Sequence, residues 1–572
     1  MRFCLSTILL FVILISFSFA VPGDEKAYPK DYFRSPVSNT LRLSGTFGEL
    51  RPNHFHSGID IKGTIGQTLY AAADGYISRI KVQKNGYGKV LYLTHAEGYT
   101  TVYAHMNNFT PQLEQYIKNQ QYDREKFEIE LFPGKDKWVF KKGETIGAMG
   151  TTGSSFGPHL HFEIRDSKTE KPINPLLFGL TVADKQAPRM HQLRIYHLDD
   201  KHEALDAKTY DLVKKGDRYV IPGNPLTIGA WRAGFALKVY DHMDGVSNWN
   251  GIYALDTYVD DELVYHFEMK DFSFSETRYL NAHLDYGEQV ANRAYFHRCY
   301  RMPGNRLSIY SQAANDGVVT LYADQPSKIT MVARDVAGNT SKLEFQVQRG
   351  EVPRPEPRAY NYVLLHDQEN AIEKYSMRVS FPKGSFYETL YMNYTADEEK
   401  SDGVYSAVHS LHDYRTPVHR YFNLAIRPTL LPDKLKDKAF IAYCGKGERV
   451  TNYGGEWKNG MLHTRARALG DYCIMVDKTP PTIKPVIFRS DLRGYNKMTF
   501  KIGDNYPSSG RAKGLTYRAE IDGEWALMEY DAKNDLLTYH FDGRLDPGKH
   551  SFRLVVSDSQ RNTKTYKGTF LR

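Results

Sequence analysis

His159-Leu160-His161-Phe162-Glu163-Ile164 alternates polar and apolar residues with period two, the pattern of a half-buried β-strand. In such a strand His159, His161 and Glu163 share one face, while Leu160, Phe162 and Ile164 pack on the other. The same reading extends outward through residues 33–180. Thr68–Ala73, Gly75–Val82, Lys89–Thr94, Thr100–His105 and Glu144–Met149 are short runs broken by Gly-containing turns, as expected for a mostly antiparallel, all-β domain. One segment departs from this pattern. Residues 111–127 (PQLEQYIKNQQYDREKF) carry Leu113, Tyr116 and Ile117 at helical spacing, which predicts a short helical insertion within 107–140.

The strand also carries chemistry. Two imidazoles two residues apart sit side by side, close enough for one to bind a metal and the other to contact its water. Upstream, His56-Ser57-Gly58-Ile59-Asp60 places a His and an Asp on either side of a Gly, so the chain can turn both toward one ion. Two His and one Asp suit zinc and leave a fourth position for water, as a hydrolytic centre requires. Tyr103-Ala104-His105 adds a spare imidazole. Each element alone is weak evidence, since His54-Phe55-His56 is a second pair of the same spacing. The order of the elements and the sequence around them carry the weight.

That surrounding sequence resembles the lysostaphin-type (LytM-like) zinc endopeptidases. The landmarks are FGELRPNHFHSGIDIKG (47–63), AAADGYISRI (71–80), GYGKVLYLTHAEGYTTVYAHM (86–106), KKGETIGAMGTTGSSFGPHLHFEI (141–164) and INPLLF (173–178). They cover about a quarter of the chain. The resemblance implies that His56, Asp60 and His161 hold Zn2+. It also implies that His159 acts as general base or orients the water, and that His105 is a second catalytic imidazole stabilising the oxyanion. His54 is an extra His beside the first ligand, expected to line the cleft or face solvent. The link 107–140 is longer than usual for the family and is expected to narrow or cover the substrate groove.

At 572 residues the chain is too long for one ordinary domain. Its net charge of +8 is mild for this length and does not imply nucleic acid. Residues 5–19 (LSTILLFVILISFSF) follow Arg2 and precede Ser18-Phe19-Ala20, the pattern of a signal peptide over 1–20, and no later stretch approaches a membrane span. Cys4 precedes the apolar run and so is not a lipid-modified cleavage-site Cys. Of the other three, Cys444 and Cys473 are candidates for a disulfide or for two buried thiols.

Past the zinc-peptidase-like region (33–180), an internal repeat appears. Residues 235–261 resemble 498–523, and MVARDVAGNTSK (331–342) resembles LVVSDSQRNTKT (554–565), so two copies of one β unit are expected. Their Asp-x-x-x-Asn turns, Asp335/Asn339 and Asp558/Asn562, resemble those of bacterial immunoglobulin-like sandwiches. Such turns are held by Asp and Asn bonding their own backbone, a structural role rather than a metal-binding one. The expected organisation is an immunoglobulin-like domain over 181–349, a Pro-rich linker at 350–358, a β-rich module of no recognised family at 359–476, and a second immunoglobulin-like domain over 477–572. Residues 477–485 (DKTPPTIKP) read as another stiff spacer. Trp231, Trp249 and Trp457 read as core aromatics ahead of a sugar-stacking role.

The leading functional expectation is an exported zinc metalloendopeptidase, periplasmic or otherwise at the cell surface or secreted, that cuts peptide stems or cross-links of peptidoglycan. Envelope proteins met through the C-terminal β domains are a further expected class of partner. Two other readings stand beside it: a catalytically silent regulator that activates other wall hydrolases, and an envelope scaffold or adhesion protein acting through its tail.

Overall fold

The computed structural model describes residues 28–323, 325–351, 359–398, 403–445 and 449–572. The signal-peptide region and most of the Pro-rich stretch at 350–358 lie outside the described residues. Among those described, no helix is long and apolar enough to cross a membrane. Among the described residues the named strands pair antiparallel, except that Arg218–Val220 and Leu226–Ile228 run parallel to Thr340–Arg349.

The first unit centres on a twisted sheet. Its strands are β1 (Leu43–Gly45), β2 (Ile59–Lys62), β3 (Gly75–Val82), β4 (Lys89–His95), β5 (Tyr99–Ala104), β6 (Ile129–Leu131) and β7 (His159–Asp166), in the spatial order β1-β2-β7-β5-β4-β3-β6. The period-two alternation does its work in β7. Leu160, Phe162 and Ile164 are fully buried in a core shared with Ile59, Ile61, Leu91, Leu93 and Tyr103, while His161 and Glu163 turn to the opposite face. A separate small sheet pairs Thr68–Tyr70 with Thr145–Met149 and Met106–Phe109. Helix α1 spans Pro111–Asp123, with Leu113 and Ile117 buried.

Two-sheet sandwiches follow. Residues 189–349 form a five-stranded and an eight-stranded sheet around Leu193, Phe235, Leu255, Met331 and Phe345. The last sandwich repeats their connectivity. Arg189–Leu198 pairs Arg232–Tyr240 as Thr482–Ile487 pairs Lys497–Gly503. In the facing sheets, Ala254–Val259, Ser327–Arg334 and Thr340–Arg349 correspond to Thr516–Ile521, Lys549–Ser557 and Thr563–Leu571. The spacer expected over 477–485 is shorter than its sequence indicated, because Thr482–Ile487 is a strand. It lies on a sheet edge, where Pro485 removes no needed ladder bond, and the register shifts beside it. Between the two sandwiches, residues 362–476 form two five-stranded sheets and a two-stranded ribbon.

Two contacts between units bear on the site. Phe47, Leu50 and Phe55 from the segment leading to His56 lie in the core of the neighbouring sandwich, with Phe47 and Phe55 at 5.2 and 5.4 Å from the Phe272 ring. The last sandwich folds back onto α1. Lys118 pairs Asp542 at 3.0 Å, Arg518 pairs Glu125 at 2.6 Å, and Trp525 meets Tyr122 edge-on. The insertion is thus a docking ledge for the tail. Trp231 and Trp249 are not core residues, being 58% and 53% exposed. Arg349 lies over the Trp231 ring, and Trp249 is stacked by His191 and met edge-on by Tyr240 and His242.

Candidate metal centre

Sheet register assembles the site. His161 stands directly opposite Asp60 on β2 and opposite Ala104 on β5, so the side chains of Asp60 and His161 leave the same face. His56 arrives on the turn before β2. That turn needs Gly58, because a Cβ there would lie 2.3 Å from the carbonyl oxygen of Phe162. His105 follows the end of β5 with φ 59°, a left-handed conformation uncommon outside Gly that swings its ring back over the strand ends.

Three donor atoms converge there. His56 Nε2 is 3.0 Å from Asp60 Oδ1 and 2.9 Å from His161 Nδ1, and His161 Nδ1 is 3.0 Å from Asp60 Oδ1. Each ligand is fixed from behind. His56 Nδ1 donates to Thr46 O at 2.7 Å, His161 Nε2 donates to Glu163 Oε1 at 2.8 Å, and Asp60 Oδ2 accepts from Arg51 at 2.5 Å. A carbonyl and a carboxylate only accept, so these bonds place the ring hydrogens on the far nitrogens. Two imidazole lone pairs and a carboxylate oxygen are left facing one point. Such a set repels itself unless a cation sits at its centre. Among the described residues these three form one of the groups able to hold a metal ion.

Electrostatics point the same way. Burial holds His56 down to about 4. For His161 burial alone would do likewise, but hydrogen bonds to Asp60 and Glu163 outweigh it and push the ring up to about 9. Glu163 is completely buried; Arg165 and His161 overcome that burial and hold it well below the carboxylate range. Without metal, a proton on His161 neutralises the cluster. That proton's contribution to stability is fully present below about 6.5 and is lost as pH rises through about 9. Metal uptake at pH 7 is therefore expected to release about one proton from His161. Calorimetric titration in buffers of differing ionisation enthalpy measures this, and no buffer dependence would contradict it.

The spare imidazoles stand at the rim. His159 Nδ1 donates to Gly157 O at 2.9 Å, leaving its Nε2 lone pair 3.5 Å from Asp60 Oδ1. His105 Nδ1 donates to Thr152 O at 2.8 Å, and its ring centroid is 4.8 Å from that of His159. Burial, with the neighbouring imidazoles, holds His105 down to about 3, and burial also lowers His159, so both are neutral acceptors at rest. His54 is exposed, bonds Pro52 O and takes no part in the cluster.

Sequence reading missed the residues behind the ligands. Glu163 had a signal, since it shares the parity of His161. Arg51 and Thr46 had none, because a loop brings them in. Replacing Glu163 with Gln is expected to weaken metal binding by about 10- to 100-fold and to leave the buried Arg165 with Glu170 as its remaining carboxylate. Phe272→Ala, a long way off in sequence, is expected to cost about 3–5 kcal/mol and to weaken metal binding as well, because Phe272 anchors Phe47 and Phe55, the chain neighbours of Thr46 and His56. Thermal melts and a metal-competition titration read both variants.

A sheet whose end presents two imidazoles and a carboxylate, with two further imidazoles at the rim, has the donors to hold a metal ion and leaves two groups free to move protons. The profile of Peptidase family M23 matches residues 54–122 and 135–175, and the chain carries a domain of that family, the LytM/lysostaphin family. A Zu5-like domain profile matches 361–477, the module without a recognised family by sequence. DD-carboxypeptidase/endopeptidase Mpg of Neisseria meningitidis serogroup B is 34% identical over 164 residues, 28% of this chain and 29% of Mpg. Murein hydrolase activator NlpD of Salmonella typhimurium is 31% identical over 123 residues, 22% of this chain and 26% of NlpD. The catalytic domain of lysostaphin from Staphylococcus simulans is 20% identical, with 25% of this chain and 93% of that chain covered and a TM-score of 0.19. The chain thus spans under a third of the length of these curated relatives.

Proposed function

We propose that the chain is an exported zinc metalloendopeptidase that hydrolyses peptide stems or cross-links of peptidoglycan, with His56, Asp60 and His161 as metal ligands and His105 and His159 as the catalytic imidazoles. The observation that carries this is the convergence of three metal-ligand atoms, His56 Nε2, Asp60 Oδ1 and His161 Nδ1, with two neutral imidazole acceptors beside them. Bound there, zinc supplies Lewis-acid polarisation of the scissile carbonyl and a water acidified to a pKa near about 7. His159, its Nδ1–H tied to Gly157 O, presents Nε2 as the acceptor for a proton from an attacking water and would return it to the leaving nitrogen as the C–N bond breaks. His105 is likewise an acceptor at rest. Its oxyanion role therefore requires a second proton, taken up on Nε2 from solvent and shared with the carbonyl oxygen as negative charge develops there. Arg51, Thr46 and Glu163 keep the ligand orientations fixed throughout.

The relatives bracket the alternative. Mpg is by name an endopeptidase and NlpD an activator. What favours catalysis here is the completeness of the set, five residues in a consistent protonation pattern. The experiment is to incubate the zinc-loaded chain with cross-linked peptidoglycan and identify the products by mass spectrometry. Loss of cross-linked dimers with gain of monomers supports the reading and names the bond. Unchanged dimers beside a stoichiometric zinc would favour the regulator.

A further inference from the structure

Two clusters of carboxylates lie in the tail, and each copies the other. Asp184, Asp241 and Asp335 each offer a ligand atom within 4.8 Å of the other two, and Asp477, Asp504 and Asp558 do the same. Asp184 and Asp477 sit in the segments that enter the two sandwiches, DKQAP (184–188) and DKTPP (477–481). Asp241 and Asp504 follow the strands Arg232–Tyr240 and Lys497–Gly503 directly. Asp335 and Asp558 open the turns before the last strands.

The bonds around them repeat as well. Asp184 Oδ1 accepts from the Gln186 amide at 3.0 Å, and Asp477 Oδ1 from the Thr479 amide at 2.9 Å. Asn339 donates its amide and side chain to Asp335 at 2.9 and 2.7 Å, as Asn562 does to Asp558 at 2.7 and 2.7 Å. The same two Asn side chains reach back to Asp184 O and Asp477 O. The Asp-x-x-x-Asn turn is thus structural, as its sequence indicated, and it also brings its Asp against two others.

What those bonds leave over points to a ligand. Asp241 and Asp477 are each 1% exposed, yet Asp241 Oδ1 and Asp477 Oδ2 are buried with no hydrogen-bond partner, as is Asp184 Oδ2. Asn250 faces Asp241 through two backbone bonds of 2.9 Å, and its own Oδ1 is buried and unpartnered. Lys438, the base nearest in bonding to the second cluster, donates to Asn562 Oδ1 and Gln560 O rather than to a carboxylate. Burial and the neighbouring carboxylates push Asp241 up to about 8 and Asp504 up to about 6. Uncompensated carboxylates in such places are costly.

We propose that each cluster is a calcium site that fastens the entering segment to its sandwich. The donors are all oxygen, which suits a hard cation and not zinc. Carboxylates from three separate segments meet at irregular spacing, which calcium tolerates and magnesium, with its strict octahedron, does not. Filling the two sites would stiffen the junctions at 184–188 and 477–481 and so fix how the tail is carried relative to the metal centre.

The test uses the full chain, stripped of metals and reloaded with zinc, then titrated with calcium. Two calcium ions per chain are expected. Asp241→Asn should leave one, Asp504→Asn should leave the other, and the pair together should leave none. These substitutions are near-isosteric, and in calcium-free buffer each variant should melt no lower than the parent, because the amide replaces a carboxyl group whose ionisation burial and its neighbours oppose. Lys185 and Lys478 are exposed beside the sites, so tryptic cleavage after them should slow about tenfold at calcium ten times above its Kd. No uptake up to about 10 mM, beyond the range of weak extracellular calcium modules, would overturn the proposal. So would uptake unchanged in both variants, or magnesium bound in preference to calcium.

Discussion

Asp60→Ala is expected to leave a folded chain that neither retains zinc nor cleaves peptidoglycan. Asp60 is the one anion of the three-donor set, it touches both ligand imidazoles, and Arg51 holds its other oxygen. Removing it deletes a ligand and leaves Arg51 and His161 without their shared counter-charge. Zinc affinity should fall by more than about 100-fold, the upper end seen when only an outer partner is removed. Losing the polarising ion and its acidified water should cost about 4 kcal/mol of transition-state stabilisation, roughly a thousandfold in rate. Zinc content by mass spectrometry and turnover on purified cross-linked muropeptides check both. Full activity in the zinc-free variant would remove Asp60 from the mechanism.

His159→Ala separates chemistry from binding. His159 is tied by Nδ1 to Gly157 O, and its Nε2 stands 3.5 Å from Asp60 Oδ1, beside the donors rather than among them. The variant should therefore keep stoichiometric zinc while losing about 10²- to 10⁴-fold in turnover, the usual range for removing a positioned general base. The loss should fall on kcat more than on KM. If zinc were lost in parallel with activity, His159 would be a ligand and the set would have to be redrawn.

Much of this site was legible because its elements are local. Alternation in His159–Ile164 was enough to set the faces of β7, and a Gly between His56 and Asp60 signalled the turn that brings them together. Five strands anticipated in the first unit begin and end within a few residues of those observed, and α1 occupies the segment with helical spacing. What the sequence hid is long-range. Arg51 reaches Asp60 only because the loop before His56 is pressed into a neighbouring sandwich by Phe272, more than 200 residues away. The tail's return onto α1 left no periodic signal either, since exposed Lys, Arg and Asp pairs on separate elements look like ordinary solvated surface. The two Asp-x-x-x-Asn turns were visible, but Asp477 sits in a Pro-containing segment that read as a stiff spacer, and Asp184 in a stretch that carried no signal of its own. Sandwich cores need aromatics, so Trp231 and Trp249 read as core residues, whereas Arg349 on Trp231 and His191, Tyr240 and His242 around Trp249 hold them at the surface.

The most direct test of the metal centre is anomalous diffraction at the zinc edge from crystals of the full chain grown with zinc. One peak is expected at the site, bonded to His56 Nε2, Asp60 Oδ1 and His161 Nδ1, with a fourth position open to solvent and both His105 and His159 outside bonding distance. A zinc bound by His105 or His159 in place of Asp60, or no peak at saturating zinc, would contradict it.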